Sequence, residues 1–367
     1  MSTDVLINVA PGETRLALVE DGRLSEFVNS RAGVQSQVGA LFLGRVISVS
    51  KPLDAAFVDI GAQRPGLLAF GDTKENAPKL TEGAAVLVRV LRDASDDKGP
   101  KLTARVDHPI PAETRAPALI VAAPDPVEHF LATRLQPGWR VRADDRRFKL
   151  AEYYAEKTAI FAEHEVEEQL DAALQPNVPF GDGASLVIEE TAALTAIDVN
   201  SGPRGDAVSV NLGAAVEVAR QLRLRNIGGQ IVIDFLPMKR RDRRDQVIEA
   251  LRAAVAKDGC EVHVLGLTRL GLAELTRRRV GETLAARLGA TSRIERSAET
   301  AALDLLRALV WQGKGGGTRK IALSLSPEIE HLLAARYRVL LDDLIRRHAL
   351  QVERNIDPAL APDKYRL

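Results

Sequence analysis

The sequence predicts a multidomain protein that combines β domains with a central α/β domain. Short β-prone runs separated by turns occupy roughly the first third of the chain, and residues 185–267 alternate strand and helix patterns. At 367 residues the chain is longer than a typical single domain. Its apolar content of 46% suffices for several cores, and because aromatic residues reach only 4%, these must consist mainly of Ala, Val, Leu and Ile.

Composition and charge exclude several classes of protein. The 50 basic residues balance the 50 acidic ones, so the chain is neither a uniformly basic nucleic-acid-binding protein nor an acidic disordered one. The single cysteine, Cys260, excludes an internal disulfide framework and a multi-thiolate zinc site within one chain. The sequence starts without a signal-peptide pattern and contains no apolar run of about 18 residues, so we expect a cytoplasmic protein without a membrane span.

The first 107 residues read as β structure. Residues 1–36 are expected to form strands that pack on the catalytic core, and Asp21-Gly22 predicts a hairpin turn between two of them. The predicted strands of this region are Val5–Val9, Arg15–Glu20 and Arg23–Val28. Five more β-prone segments occupy residues 37–107: Leu43–Val49, Ala55–Ile60, Pro65–Phe70, Ala85–Leu91 and Lys101–Val106. Five short strands in so few residues predict a small closed barrel of the oligonucleotide-binding (OB) type.

Residues 108–150 are rich in proline and predict a connecting segment around one strand, Ala118–Ala122. The next stretch, Glu152–Leu174, reads as mainly helical, with an acidic outer face that is typical of a solvated surface.

Residues 151–290 are predicted to form the α/β domain. Its expected strands are Ser185–Ile188, Leu194–Val199, Ile231–Phe235 and Glu261–Leu267, and its expected helices are Asn211–Asn226 and Asp242–Lys257. Gly228-Gly229 is predicted to end the first of these helices. Right-handed crossovers between such elements indicate mostly parallel strands.

Residues 291–367 predict a small α+β domain. We expect a helix at 294–311, a strand at Ile321–Leu325, a long helical region at Pro327–His348 and a final strand at Leu350–Ile356.

Two carboxylates stand out because each interrupts an apolar strand. Asp198 follows Leu194–Ile197, and Asp234 follows Ile231–Ile233. A buried, unpaired carboxylate is costly, so we expect each to be paired, neutralised or bound to a cation. Both lie at the carboxyl ends of strands joined by one crossover helix, and ligands of open α/β sheets gather at that edge. If the strands are neighbours, a divalent cation between the two carboxylates relieves their repulsion.

Strand alternation adds Asn200, which shares a face with Asp198. Hard oxygen ligands without neighbouring His or Cys favour Mg²⁺ over zinc, so the pattern predicts a magnesium site. The alternative is that each aspartate only caps the loop or helix that follows it.

Basic residues concentrate near this edge. Arg220, Arg223 and Arg225 lie on the predicted crossover helix, and Lys239 and Arg240 begin a basic run after Asp234. The run continues with Arg241, Arg243 and Arg244, and Arg277, Arg278 and Arg279 come later. Cations next to two acidic groups suit a polyanion held at a metal, although any single arginine of a helix can equally belong to a solvated face.

Several stretches together resemble the ribonuclease E/G family. In the predicted α/β domain these are Thr195–Ser201, Ala219–Arg225 and Gly228–Phe235, which resemble the family's catalytic region. In the predicted barrel, Ala55–Gly61 and Arg64–Leu68 resemble the family's RNA-binding S1-type domain. The resemblance implies an S1-type OB barrel, a DNase I-like catalytic domain and a small C-terminal domain. It identifies a short, ribonuclease G-like member in which residues 108–150 correspond to a trimmed ribonuclease-H-like region.

The family's functional residues fall on specific positions of this chain. The resemblance implies that Asp198 and Asp234 hold the metal and that Asn200 supports them. It also implies that Phe57 packs on RNA and that Lys98 makes a basic contact with RNA.

The chain also departs from the family pattern. Leu67 stands where a second RNA-stacking aromatic is expected, and Glu261 where a basic residue is expected. The Arg-Thr pair that reads a 5′-monophosphate has only Arg142-Ala143-Asp144 as its nearest counterpart. The cysteines that link two subunits through zinc are missing after Arg279, so a homodimer would form through the C-terminal domain without a zinc link.

These observations predict a Mg²⁺-dependent endoribonuclease that hydrolyses single-stranded RNA to 5′-phosphate and 3′-hydroxyl ends, in RNA processing or decay. One alternative is a catalytically weak or inactive RNA-binding protein on the same scaffold, favoured by the missing 5′-sensor residues. Another is a metal-dependent phosphoesterase for small molecules, which would not need the barrel.

Overall fold

The computed structural model describes residues 2–33, 36–75, 79–94, 98–156, 158–181, 183–203, 206–288, 296–314 and 319–367. The chain divides into two compact units. One comprises residues 1–32, 130–278 and 283–367, and the other comprises residues 33–129 and 279–282.

The chain begins with three antiparallel strands, β1 (Thr3–Ala10), β2 (Glu13–Glu20) and β3 (Arg23–Arg31). The predicted turn between β2 and β3 is confirmed, because Asp21 and Gly22 both have the positive φ angles (47° and 78°) that a tight hairpin turn needs. Apolar residues of these strands, among them Leu6, Ala17 and Leu24, enter a buried core.

The second unit contains a closed five-stranded barrel. Its strands are β4 (Leu41–Ser50), β5 (Ala55–Asp59), β6 (Gly66–Ala69), β7 (Ala85–Arg92) and β8 (Lys101–Thr103), and β9 (Ala118–Val121) pairs with β4 beside them. The barrel closes because β4 pairs with both β5 and β7, β6 pairs with β5 and β8, and β7 pairs with β8. Gly66 permits this closure, since a Cβ there would lie 2.4 Å from Leu102 Cδ1. The interior is lined by small and branched residues such as Ala56, Val58 and Val88.

After helix α1 (Pro126–Arg134) the chain extends the first sheet with two strands. These are β10 (Arg140–Ala143) and β11 (Glu152–Tyr153), and the resulting order is β11-β10-β1-β2-β3. Both added strands run parallel to β1. The prediction of a mainly helical stretch over residues 152–174 is correct only for its end, where helix α2 (Val166–Ala173) follows a short 3₁₀ turn at Ile160–His164.

The central sheet has six strands in the order β12-β13-β14-β15-β17-β16. The strands are β12 (Asn177–Phe180), β13 (Ala184–Glu190), β14 (Thr195–Asn200), β15 (Gly229–Asp234), β16 (Val262–Leu267) and β17 (Ala273–Arg277). Helices α3 (Ala207–Leu224) and α4 (Arg241–Val255) follow β14 and β15, and both contribute to the core beneath the sheet.

The prediction of mostly parallel strands is wrong for this sheet. Among the described residues of this sheet, β14 and β15 are parallel neighbours, and the other four strand pairings are antiparallel. The physical reason lies in the connections between strands. Strands β12, β13 and β14 form an antiparallel meander. On the other side of β15 the neighbour is β17 rather than β16, and β17 pairs antiparallel with both β15 and β16. The crossover of α3 therefore creates a single parallel pair, the one that carries both aspartates.

Helix α3 ends differently from the prediction. The cap residue with a positive φ angle is Asn226 (φ 51°), whereas Gly229 (φ 103°) is the first residue of β15. The Ile227 amide donates to Leu222 O and the Asn226 amide to Arg223 O, which is a Schellman cap.

The end of the chain, which belongs to the first unit, contains helices and strands in the predicted order. It comprises α5 (Leu284–Leu288), α6 (Ala298–Gly313), β18 (Arg319–Leu325), α7 (Pro327–Ala335), α8 (Arg338–Arg347), β19 (Leu350–Ile356) and β20 (Tyr365–Arg366). The predicted long helix is interrupted at Arg336-Tyr337, where the buried Tyr337 donates its hydroxyl to Glu299 Oε1 at 2.6 Å. Among the described residues, no helix combines the length and apolar character needed to cross a bilayer.

Candidate active site

Asp198 and Asp234 face each other across neighbouring strands. They are register partners at the carboxyl ends of the parallel strands β14 and β15. Neighbouring strands lie about 4.8 Å apart, and partners in register project from the same face. The predicted juxtaposition of the two carboxylates is therefore present.

The two carboxylates are exposed, which corrects the expectation that they are buried. Side chains alternate along β14, so that Ile197 and Val199 enter the core while Asp198 and Asn200 point to solvent. On β15, Ile231 and Ile233 are buried and Asp234 is exposed. A strand with one solvated face offers a carboxylate this position at little desolvation cost, so the aspartates need no partner in order to be tolerated.

Asn200 supports Asp198 directly. Its side-chain amide donates from Nδ2 to Asp198 Oδ2 over 3.0 Å, as strand alternation predicts for residues two apart. This bond orients one carboxylate oxygen and leaves the other available to a ligand.

The donor set of the site fits Mg²⁺. No cluster of three or more His, Cys, Asp or Glu side chains suited to a metal ion occurs in the parts of the chain that the structure describes. Mg²⁺ is typically bound through one or two carboxylates and keeps several waters, and the exposed face leaves room for these waters. Asp198 and Asp234 would hold the ion, with Asn200 fixing the first of them.

The three arginines predicted on α3 do not form an exposed surface. Arg220 bonds Glu217 and the Leu24 carbonyl, Arg223 Nη2 lies 2.6 Å from Glu20 Oε2, and Arg225 Nη2 donates to Gln175 O at 2.7 Å. Burial lowers the pKa of Arg225 to about 10. These guanidinium groups tie α3 to neighbouring strands and loops, so we remove them from the candidate RNA surface.

The basic run after Asp234 is exposed. Lys239 and Arg240 lie between β15 and α4, and Arg241, Arg243 and Arg244 occupy the first turn of α4. Arg240 forms a bidentate pair with Asp242, at 3.0 Å from Nε and 2.7 Å from Nη2. The exposed basic run therefore begins close to Asp234 along the chain, because only five residues separate Asp234 from Arg240.

The barrel unit presents a row of side chains across its strands. Register partners Phe57, Leu67 and Lys101 lie on β5, β6 and β8, and Arg92 of β7 is the partner of Lys101. Phe57 is half-buried, whereas Leu67 and Lys101 are exposed, as is Lys98 in the preceding loop. Sequence reasoning missed Lys101, although strand pairing with Leu67 places it beside the position where the second aromatic was expected.

Arg142 and Asp144, the nearest counterpart of the 5′-phosphate sensor, are bonded to other residues of the protein. Arg142 Nη2 lies 2.6 Å from Glu163 Oε2, and Asp144 accepts from Val9 N and Asn8 Nδ2 at 2.8 and 2.7 Å. Burial raises the pKa of Asp144 despite these bonds. Both side chains hold the first sheet together.

Comparisons with known proteins relate the segment that contains this site to one family. Residues 139–280, which contain Asp198, Asn200, Asp234 and the basic run of α4, match the model of the ribonuclease E/G family. Ribonuclease G of Salmonella typhimurium is 27% identical over 397 residues, covering 77% of this chain and 81% of that protein. Ribonuclease G of Escherichia coli K12 is 26% identical with the same coverage. Ribonuclease E of Haemophilus influenzae is 26% identical over 98% of this chain and 50% of its own length.

Proposed function

Because the chain belongs to the ribonuclease E/G family, we propose that it is a Mg²⁺-dependent endoribonuclease that hydrolyses single-stranded RNA. The observation that carries the proposal is the register pairing of Asp198 with Asp234 on an exposed sheet face, next to a cationic segment. The products are 5′-phosphate and 3′-hydroxyl ends, and the role is in RNA processing or decay.

The side chains divide the work by their chemistry. Asp198 and Asp234 would hold the ion, and Asn200 fixes the Asp198 carboxylate by donating to its Oδ2. When bound, Mg²⁺ supplies a more acidic water and stabilises negative charge on the scissile phosphate. Lys239 and Arg240 bind flanking phosphates and so place the strand over the two carboxylates.

The barrel supplies the preference for single strands. Phe57 offers a ring on which an unpaired base can stack, and Lys101, Lys98 and Arg92 offer charges to the backbone. Base stacking on an aromatic side chain contributes about 1–3 kcal/mol per base, and Leu67 supplies no such ring. RNA binding by this row of side chains should therefore depend more on contacts with phosphates than it would on a surface that carried two aromatic residues.

The test is cleavage of a 5′-labelled, A/U-rich single strand by purified protein with and without Mg²⁺. Asp198→Asn and Asp234→Asn should each reduce kcat by at least about a thousandfold, as loss of a main source of charge stabilisation does, while RNA affinity changes little. Glu189→Gln, which neutralises an exposed carboxylate of β13 outside the aspartate pair, is the matched control and should cleave normally.

The outcomes separate the candidates. Tight RNA binding without Mg²⁺-dependent cleavage by the unaltered protein would identify an RNA-binding protein instead. Full cleavage activity in either aspartate variant would refute the assignment of these residues.

A further inference from the structure

Asn211 is a polar residue in the middle of a hydrophobic core. It lies on α3 with no solvent exposure, among Val210, Ala214 and Ala215. Both of its polar atoms contact one residue 25 positions later: Nδ2 donates to Leu236 O at 2.9 Å, and Oδ1 accepts from Leu236 N at 3.0 Å.

The two hydrogen bonds from Asn211 take the place of strand pairing for the backbone of Leu236. The pairing of β15 with β14 ends at Asp234 and its pairing with β17 ends at Ile233, and residues 235–240 belong to no strand or helix. The N–H and C=O of Leu236 would need another partner in a largely apolar setting, and the Asn211 amide satisfies both. An apolar side chain of the same size would leave both backbone groups unsatisfied.

The clamped residue lies between the two parts of the candidate site. Leu236 is two residues after Asp234 and three before Lys239, and Phe235 between them is buried in the central core. Fixing Leu236 therefore fixes the path of the chain as it leaves the sheet, and with it the direction of the Asp234 carboxylate relative to Asp198.

We propose that Asn211 is a positioning residue for Asp234. Through the Leu236 backbone it holds the second carboxylate in register with the first, without touching ion or RNA. This inference rests on the proposed function, because it assumes that Asp198 and Asp234 act as a pair. Outer-shell partners of metal ligands typically affect affinity or activity by about 10–100-fold, which sets the expected size of the effect.

The experiment replaces Asn211 by aspartate in the full chain. Asn211→Asp keeps the acceptor for Leu236 N and, when its carboxyl group is ionised, loses the donor to Leu236 O. We expect Mn²⁺ binding, followed by electron paramagnetic resonance without RNA, to weaken by at least about tenfold. In RNA cleavage kcat should fall by a similar factor, whereas KM for RNA should stay within about twofold, since the basic residues are untouched.

Val218→Ala is the matched control for stability. Val218 is fully buried on the same helix and truncation leaves a cavity, but its side chain has no hydrogen bond to give to Leu236. It should lower Tm while leaving Mn²⁺ affinity and kcat unchanged. Equal losses in both variants would overturn the positioning role.

Two further readouts keep the outcome decisive. If Asn211→Asp does not fold, hydrogen exchange of the Leu236 amide in the unaltered protein decides: protection supports the clamp, and exchange as fast as in an exposed loop refutes it. If the unaltered protein binds Mn²⁺ but does not cleave RNA, the proposed function fails, while the Mn²⁺ comparison still tests Asn211. Unchanged Mn²⁺ affinity in Asn211→Asp would refute the inference.

Discussion

The side chains of Asp198 and Asp234 repel each other in the folded protein. They are register partners on adjacent strands, and like charges directly opposite one another destabilise a sheet. Neither is driven there by burial, since both are exposed. The proposed Mg²⁺ ion would offset this repulsion by binding both carboxylates.

We predict that neutralising either aspartate stabilises the protein. Asp198→Asn or Asp234→Asn removes the cross-strand repulsion and should raise the free energy of unfolding by about 0.5 kcal/mol at low salt. Millimolar Mg²⁺ should raise Tm of the unaltered protein but not of either variant, because binding to the native state alone is stabilising. Thermal unfolding with and without Mg²⁺ measures both effects. A variant that loses stability and still responds to Mg²⁺ would contradict the shared-ion account.

At the scale of elements, α3 and α4 use their arginines in opposite ways. Arg223 of α3 is paired with Glu20 and also lies 3.5 Å from Glu26. Burial raises the pKa of Glu26, although Arg134 and Arg223 act in the opposite direction. The arginines at the start of α4 are exposed. The two helices therefore differ: the arginines of α3 hold neighbouring elements together, and those at the start of α4 are exposed to solvent.

This difference predicts separable phenotypes. Arg223→Ala leaves the half-buried Glu20 and the largely buried Glu26 with fewer partners and should reduce the free energy of unfolding by about 2 kcal/mol, with unchanged RNA affinity of the folded protein. Lys239→Ala should leave stability unchanged, weaken RNA binding and lower the salt dependence of log K by about one unit. Urea unfolding and RNA titrations at several salt concentrations distinguish the two. Loss of RNA affinity in a folded Arg223→Ala protein would show that α3 also contacts RNA.

The sequence predicts elements better than it predicts their environment. Asp21-Gly22, the barrel strands and the Asp198–Asp234 alignment follow from turn chemistry and strand pattern, and all are present. The exposure of Asp198 could not be predicted from its apolar neighbours. Side chains alternate between the two faces of a strand, but the sequence does not show which face of the sheet is packed against the core. The burial of Arg223 depends on Glu20 and Glu26, about 200 residues earlier in the chain, which no local pattern connects to α3. The sequence did not single out Asn211, because a polar residue on an apolar helix face is a weak signal. Its hydrogen-bond partner, Leu236, lies 25 residues later, and no local pattern connects the two.

At the scale of the whole molecule, ionic contacts join the two ends of the first unit. Glu13 on β2 bonds Arg31 Nε at 2.7 Å and also pairs with Arg307, which lies on α6 and is 294 residues away along the chain. Arg307 pairs in turn with Asp304, and Arg296 Nη1 lies 2.6 Å from Asp304 Oδ2. These side chains are largely buried, so each depends on its partners for satisfaction. The C-terminal α+β unit is thereby fastened to the N-terminal sheet by charge as well as by apolar packing.

This network predicts a loss of stability in acid. Burial alone would raise the pKa of Glu13, but Arg307, Arg31 and Arg15 outweigh it and lower the pKa from 4.5 to about 2. A depressed carboxylate pKa stabilises the native state above the unfolded pKa, and this contribution is lost as the pH falls from about 4.5 towards 2. At about 1.4 kcal/mol per pKa unit the loss is roughly 3 kcal/mol.

Urea unfolding of the unaltered protein and of Glu13→Gln between pH 2 and pH 6 measures this term. Glu13→Gln should be several kcal/mol less stable at pH 6, since it removes the carboxylate that Arg31 and Arg307 share, on the order of 3 kcal/mol for a broken buried pair. The difference between the two proteins should shrink as the pH falls, because protonation removes the same charge from Glu13. Glu353→Gln, a change at an exposed position of β19, should follow the unaltered protein throughout. A Glu13→Gln protein that unfolds in parallel with the unaltered protein across this range would show that the ionic contacts of Glu13 do not fasten the C-terminal unit.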